Sequence, residues 1–313
     1  MVVVRRWPVA QGIVGLELSL HDGGELPAHE AGAHIDLHLP GGLQRQYSLC
    51  GDPRERSRWR IAVLRDPASR GGSAAVHDHL HEGVRLKVGG PRNLFRLAEA
   101  PAHLLLGGGI GITPLLAMAQ SLHLQGQRFR LHACFRSPAL TAFAEEMGAC
   151  AYAKQMSVHH DDGPLEQRFD VDAVLATADA GCHLYVCGPA GFMAHVLAAA
   201  RRAGWSEERL HQEHFAAAPM SQAGSGAFEL RLARSGRCLP VPADRSALDV
   251  LLDAGVEVAF SCEAGVCGSC VLPVLEGQPD HRDSFLTAPE RAAGRCFTPC
   301  CSRALTSVLV VDL

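Results

Sequence analysis

Three cysteines stand close together near the C-terminal end of the sequence, in Cys262-Glu-Ala-Gly-Val-Cys267-Gly-Ser-Cys270, and a cysteine pair, Cys300-Cys301, follows downstream. The spacing C-x4-C-x2-C with a distant further cysteine is the ligand pattern of plant-type 2Fe-2S clusters. Four thiolates enclose two irons, so three come from one tight loop and the fourth closes the cage from elsewhere. Gly265 and Gly268 keep that loop free of bulk and let backbone N–H groups turn toward the sulfides. Structural zinc loops use two C-x2-C pairs instead. Cys296, Cys300 and Cys301 are all in range for the fourth ligand. Side chains alternate along an extended segment, so Cys300 and Cys301 should not both face one cluster. The spacing does not choose between them.

Upstream, a second kind of chemistry is suggested by Arg45-Gln46-Tyr47-Ser48-Leu49. An arginine can hold a phosphate, a tyrosine can lie on a flat ring and a serine can donate a hydrogen bond. A plain strand with an exposed arginine and a core tyrosine would read the same. Arg70-Gly71-Gly72-Ser73 precedes a helix-like segment, Ala74 to Leu80, where glycines let amides approach an anion at a helix N-terminus. Further on, the apolar run His103–Leu106 enters Gly107-Gly108-Gly109-Ile110-Gly111-Ile112-Thr113-Pro114, and a helix follows to about Leu124. Strand, glycine turn, helix is the setting of a dinucleotide loop, although the spacing is not a clean G-x-G-x-x-G. The next strand, Arg130–Phe135, ends at Arg136-Ser137. No acid stands at that strand end to grip a ribose, so the rule does not separate NADH from NADPH. A third strand, His183–Val186, runs into Cys187-Gly188-Pro189. Cys187 reads either as a buried small residue or as a contact for a nicotinamide. The 17 histidines, including His159-His160 before Asp161-Asp162, are expected on surfaces rather than around a metal.

These groups need elements to hold them. Short alternating runs, Val14–Leu20, Ile35–Leu39 and Trp59–Val63, punctuated by Gly and Pro, predict an antiparallel barrel or sandwich over residues 1–99. Strands alternating with helices over 100–219 predict a doubly wound parallel sheet, with ligands beyond the carboxyl ends of its strands. Residues 220–227 read as a linker within a small-residue stretch that begins at Ala216. Residues 228–313 form a small domain, with a strand over Phe228–Leu232, a capping box at Ser246–Asp249 and a closing strand over Val308–Val311.

The chain has 313 residues, enough for two or three domains. Its formal net charge of −4 gives no basic surface for nucleic acid. The last 88 residues, 226–313, carry 8 basic and 11 acidic side chains, a mildly acidic face that would dock on a basic partner. The N-terminal Met-Val-Val-Val-Arg-Arg has its charges after the apolar residues, unlike a signal peptide. No apolar run is long enough to span a membrane. Twelve cysteines without a secretory signal are expected in the cytoplasm as thiols and cluster ligands.

The motifs, in this order and over essentially the whole chain, resemble the phthalate dioxygenase reductase family, which includes the reductases of vanillate O-demethylases and other Rieske oxygenase systems. The residues that carry the resemblance are Arg45-x-Tyr47-Ser48-Leu49, Arg70-Gly-Gly-Ser73, Gly107–Pro114, Cys187-Gly-Pro189, Glu213-His-Phe215, the cysteine run, Glu276-Gly-Gln-Pro-Asp280-His-Arg-Asp283 and Cys300-Cys-Ser-Arg303. The resemblance implies an antiparallel flavin-binding β-barrel, a doubly wound α/β NAD-binding domain and a C-terminal β-grasp ferredoxin domain. It implies that Arg45, Tyr47, Ser48 and Leu64 contact FMN, with the Ser48 hydroxyl near flavin N5, and that Arg70, Gly71, Gly72 and Ser73 hold the FMN phosphate. Gly109, Gly111, Thr113, Arg136, Cys187, Gly188 and Pro189 would bind NADH, and Phe215 would lie against the flavin or compete with nicotinamide for its face. Cys300, rather than Cys301, would join Cys262, Cys267 and Cys270 as the fourth cluster ligand.

Taken together, these cofactors fit a reductase that passes electrons from NADH through FMN to the cluster and on to a separate Rieske-type oxygenase acting on an aromatic substrate. Hydride donors give electrons in pairs, a 2Fe-2S cluster takes one, and a flavin can do both. A free C-terminal domain on a flexible linker favours transient docking through the ferredoxin domain, and a monomer is expected. A redox sensor with little turnover and a permanent electron-transfer subunit of another complex are the alternatives.

Overall fold

The computed structural model describes residues 1–67, 71–215 and 226–313, which fall into two compact units, Met1–Glu213 and His214–Leu313. Arg70 and most of the expected linker lie outside the described residues. No helix among the described residues is long and apolar enough to cross a membrane.

The first unit opens with β1 (Val2–Ala10), β2 (Ile13–Ser19), β3 (Ala33–His38), β4 (Gln44–Ser48), β5 (Trp59–Leu64), α1 (Gly72–His79) and β6 (Val88–Asn93). Two antiparallel sheets, β1-β2-β5 and β4-β3-β6, enclose one apolar core. Leu16 and Leu18 of β2, Ile35 and Leu37 of β3, and Ile61 of β5 are fully buried there. The period-2 alternation that marked these strands puts those residues on one face. β1 escaped that pattern because Arg5 and Arg6 interrupt it. A register shift between Val3 and Arg5 keeps Val3 in the core and the arginines outside it.

The same unit continues with β7 (His103–Gly108), α2 (Ile112–Leu124), β8 (Phe129–Phe135), α3 (Ala144–Ala149), β9 (Met156–His160), α4 (Val171–Ala176), β10 (His183–Cys187), α5 (Ala190–Arg202) and β11 (Leu210–Glu213). The five strands are parallel in the order β11-β10-β7-β8-β9. β7 is covered on both faces: Leu105 packs with Leu131 and Met118 on one side, and Leu104 and Leu106 pack with Leu184 and Val196 on the other. Burial on both faces is why its sequence is a continuous apolar run.

The histidines are not confined to surfaces. His34 and His103 are buried, and two pairs bridge neighbouring strands: His132 with His159 at 3.0 Å and His183 with His211 at 2.9 Å. Packing between strands, which sequence position does not reveal, drew them in.

The second unit holds β12 (Phe228–Leu232), β13 (Cys238–Val241), α6 (Ala247–Asp253), β14 (Leu272–Glu276), β15 (Pro279–Asp280), α7 (Ala288–Ala293), β16 (Cys296–Phe297), β17 (Arg303–Ala304) and β18 (Val308–Val311). A parallel pair, β12 and β18, sits at the centre of the sheet β13-β12-β18-β14-β16, and α6 packs on it. Ser246 and Asp249 cap α6 reciprocally, as the sequence predicts. Buried Arg303 donates to the carbonyls of Arg245 (2.6 Å), Gly226 (2.8 Å) and Pro242 (2.9 Å), with its guanidinium over the Phe228 ring.

Candidate functional site

In the second unit the chain between α6 and β14 forms the cysteine turn. Cys262 Sγ accepts from the amides of Ala264 (3.3 Å) and Val266 (3.5 Å), and Cys267 Sγ accepts from Ser269 N–H at 3.4 Å. Hydrogen bonds to a sulfur favour its thiolate. The Cys267 thiol is held below the ordinary range, first by the Cys262 sulfur beside it. Cys270 and Cys300 form the second close pair, 3.4 Å between sulfurs, and the Cys300 segment is held on α6 where Leu248 N–H bonds Pro299 O at 2.9 Å. Among the described residues no three ligating side chains converge on a single ion. Two thiol pairs are the donor set a dinuclear iron centre needs, and a mononuclear zinc site would need four donors around one point.

Cys301 stays beside the Cys300 sulfur, which is the first influence holding its thiol below the ordinary range, and it also packs on Thr298 and on the turn itself. Its sulfur lies 3.5 Å from Thr298 Oγ1, and a Cβ placed on Gly265 would sit 2.5 Å from it. Behind the turn stands Asp283, 4% exposed, which accepts from the amides of Phe285 (3.1 Å) and Leu286 (2.7 Å) and from the Thr298 hydroxyl (3.3 Å). Ser284 N–H meanwhile bonds Gly265 O at 2.9 Å. Asp283 therefore ties the cysteine turn to the Cys300 segment. Sequence reading quoted it within a motif without assigning it this work.

In the first unit β3 pairs with β4 so that Tyr47 faces Ile35 and Ser48 faces His34. Arg45 lies across the start of α1, where a Cβ on Gly72 would come 2.5 Å from Arg45 Cγ. Gly71, at φ 82°, occupies the left-handed region that lets the chain turn into the helix. Ser73 accepts from the Asp66 amide at 3.1 Å. A guanidinium over a side-chain-free helix start is a cradle that fits a phosphate. Tyr47 is partly buried, and burial raises its phenol above the usual range. Leu64 ends β5 and stays partly exposed.

Ser48, 5% exposed, donates from its hydroxyl to Glu213 Oε2 at 3.2 Å. Glu213 is the last residue of β11 and pairs in register with Cys187, the last of β10. Burial pushes the Glu213 carboxyl up to about 8, with the Ser48 bond working against that rise. Cys187 is 0% exposed, and burial drives its thiol well above the usual range. Glu213 is the residue that sequence reasoning missed as a site member. Its strand has only four residues, and its partners lie far away in sequence.

The glycine turns of β7 and β10 meet backbone to backbone. A Cβ on Gly111 would fall on the Cys187 carbonyl, and one on Gly188 would come 2.9 Å from Gly108 Cα. Gly109 faces open space. The Pro189 and Phe192 rings pack against Gly108, and Thr113 spends its hydroxyl on Ile110 O at 3.0 Å, closing the turn. The turn opens α2, so its amides face the crevice at the carboxyl edge of the sheet. Arg136 is exposed just past β8. Phe215 belongs to the second unit and is 43% exposed.

Two domain models match the chain. Residues 230–305 match the 2Fe-2S iron-sulfur cluster binding domain, and residues 92–210 match the N-terminal domain of dimethylamine monooxygenase subunit DmmA-like proteins. The vanillate O-demethylase oxidoreductase of a Pseudomonas species is 53% identical over 306 residues, covering 97% of this chain and 96% of that one. A solved structure of phthalate dioxygenase reductase, a modular structure for electron transfer from pyridine nucleotides to 2Fe-2S, covers 100% of this chain and 97% of its own at 39% identity and TM-score 0.77. An intact type IV self-sufficient cytochrome P450 monooxygenase covers 100% of this chain with 40% of its own length, at 38% identity and TM-score 0.87.

Proposed function

The chain belongs to the phthalate dioxygenase reductase family, and on that premise we propose that it is the NADH-dependent reductase component of an oxygenase system. Electrons would pass from NADH through FMN to a 2Fe-2S cluster and out to a separate Rieske-type oxygenase or O-demethylase acting on an aromatic substrate. The observation that carries this reading is the Cys270–Cys300 sulfur pair at 3.4 Å beside the C-x4-C-x2-C turn. It gives the chain a one-electron outlet.

A bound flavin supplies the exchange of a hydride for single electrons. The chain's own residues position it. Arg45 and the amides from Gly71 to Ser73, with Arg70, would take its phosphate. Tyr47 and Leu64 would border its ring, and Ser48 presents a hydroxyl at the strand end where Glu213 accepts it. Gly109, Gly111, Thr113, Arg136, Gly188 and Pro189 would shape the nucleotide crevice, and Cys187 would line its floor. Cys262, Cys267, Cys270 and Cys300 would hold the irons. The work asked of the protein is orientation.

The partner would dock transiently on the mildly acidic C-terminal unit of a monomer. The setting we propose is the cytoplasm, where the eight cysteines outside the proposed ligand set would stay reduced. The test is direct: purified, anaerobically handled protein should carry flavin, iron and acid-labile sulfide, and should reduce cytochrome c with NADH. NADH that bleaches a flavin without producing the electron-spin signal of a half-reduced cluster would end this reading. Assay against a Rieske oxygenase and a cytochrome P450 identifies the class of acceptor.

A further inference from the structure

The barrel and the parallel-sheet layer of the first unit meet at a second joint besides the Ser48–Glu213 contact. Ile13, Cys50 and Ala62 of the barrel share one apolar core with Phe143, Met147 and Tyr152 of the layer. Across the same joint Gln11 N–H donates to Ala139 O at 3.1 Å. A close-packed interior resists deformation, so this core holds one body on the other.

A charged side chain crosses the joint. Arg60 of β5 donates from one nitrogen to both carboxylate oxygens of Glu146 in α3, each at 2.6 Å. Glu146 is half exposed, and exposed ion pairs contribute little. Two rings do more. The Arg60 guanidinium carbon lies 4.7 Å from the centre of the Phe143 ring and 5.3 Å from the centre of a Trp7 ring. It therefore grips one ring from the layer and one from the barrel. Both rings are held in turn. Trp7 lies so close over Gly15 that a Cβ there would come 2.5 Å from its indole. Phe143 is 3% exposed and has φ 60°, a left-handed conformation that a non-glycine residue keeps only where its surroundings demand it.

The same arginine reaches the end of the flavin motif. Cys50 N–H donates to Arg60 O at 2.9 Å, and Cys50 stands two residues after Ser48. We propose that Arg60 is a positioning residue for hydride transfer: its side chain locks α3 to the barrel while its carbonyl holds the chain next to Ser48, so that the flavin site and the nucleotide crevice keep one spacing. This rests on the reductase reading above. In the step it serves, the nicotinamide C4–H bond breaks and a flavin N5–H bond forms, NADH being oxidised and the flavin reduced. A misplacement on the order of 1 Å, set far from the chemistry, can cost such a step about a hundredfold. Arg60 acts through Cys50 and α3 and not on the reacting atoms.

The test mixes full-length holoprotein with NADH anaerobically and follows flavin reduction in wild type, Arg60→Gln, Arg60→Lys, Gly15→Ala and Glu146→Gln. Gly15→Ala displaces the Trp7 ring and leaves Arg60 itself intact. Arg60→Gln and Gly15→Ala are expected to lower the limiting rate about ten- to a hundredfold and to weaken the flavin–nicotinamide charge-transfer absorbance. Bound flavin and NADH affinity should stay within about twofold of wild type. Arg60→Lys should recover part of the rate, because an ammonium still sits over the rings, and Glu146→Gln should change it by less than about threefold. In flavin-free protein, amide exchange over Leu49–Cys50 and Ala144–Ala149 should quicken in Arg60→Gln, a readout that needs no turnover. A limiting rate within about twofold of wild type in both Arg60→Gln and Gly15→Ala overturns the assignment, and so does a fall that comes only with lost flavin or weakened NADH binding. If NADH does not bleach the flavin of wild type, the reductase reading fails and the positioning role with it. Rapid reduction of wild type and variants alike rejects the role of Arg60 alone.

Discussion

The Ser48 hydroxyl donates to Glu213 at 3.2 Å across 165 positions of sequence, joining the end of a barrel strand to the end of an edge strand of the parallel sheet. The carboxyl in that contact is raised from its ordinary value of 4.5 to about 8. A carboxyl raised in the folded state contributes stability that is complete below the unfolded value and is lost as pH rises through the folded one. The flavin-free chain should therefore lose stability between about pH 4.5 and pH 8, by about 1.4 kcal/mol for each unit of separation. Glu213→Gln should remove that component. Urea midpoints of both proteins at pH 5 and pH 8.5 check it, and equal pH slopes would refute it.

The contact between the two glycine turns predicts a steric penalty. Gly111→Ala and Gly188→Ala should each cost about 1–3 kcal/mol and raise KM for NADH. Gly191, with nothing within 4 Å of a built Cβ, is the control, and its alanine variant should be neutral or slightly stabilising. Denaturant midpoints for all three would show whether the close approach matters.

The two adjacent cysteines should behave differently. Cys300→Ser is expected to lose most bound iron, because its sulfur is the one beside Cys270. Cys301→Ser should keep it, because that sulfur fills the space over Gly265. Iron and acid-labile sulfide per chain decide the point, and equal retention would remove Cys300 from the ligand set.

Asp283→Ala should leave the buried Leu286 amide and the half-buried Phe285 amide without their acceptor, while the Thr298 hydroxyl keeps Ser302, a loss of about 1–3 kcal/mol concentrated at the cysteine turn. Asp283→Asn keeps an acceptor and should recover part of it. The readout is the rate of iron release to a chelator, which should rise in the alanine variant and return toward wild type in the asparagine variant.

We propose domain boundaries near residues 99, 219 and 228, and they predict what fragments do. A fragment of residues 1–219 should bind flavin and pass electrons from NADH to ferricyanide, but not reduce cytochrome c efficiently. A fragment of residues 228–313 should carry the cluster alone, and extending it to residue 226 should raise its melting temperature, because Arg303 then regains the Gly226 carbonyl.

The cysteine run and the glycine turns were legible because their chemistry demands fixed spacing or a missing side chain. The capping box at Ser246–Asp249 was legible because both partners lie within one helical turn. β9 and β11 were not, since Met156–His160 is mostly polar and Leu210–Glu213 is too short to show a period. Glu213 owes its place to the registered pairing of Cys187, and Arg60 owes its place to the rings it lies over. Neither neighbourhood is visible until the strand order is known. Asp283 draws on amides and a hydroxyl whose spacing forms no pattern.

Arg303 has a mechanical reading as well. Gly226, the first described residue of the C-terminal stretch, is knotted to it by one carbonyl, while Arg245 and Pro242 hold the same guanidinium fast. A tug arriving along the chain from upstream would be borne by that three-point anchor, two residues from Cys301 and three from Cys300. The cysteines proposed to hold the irons would be spared the load.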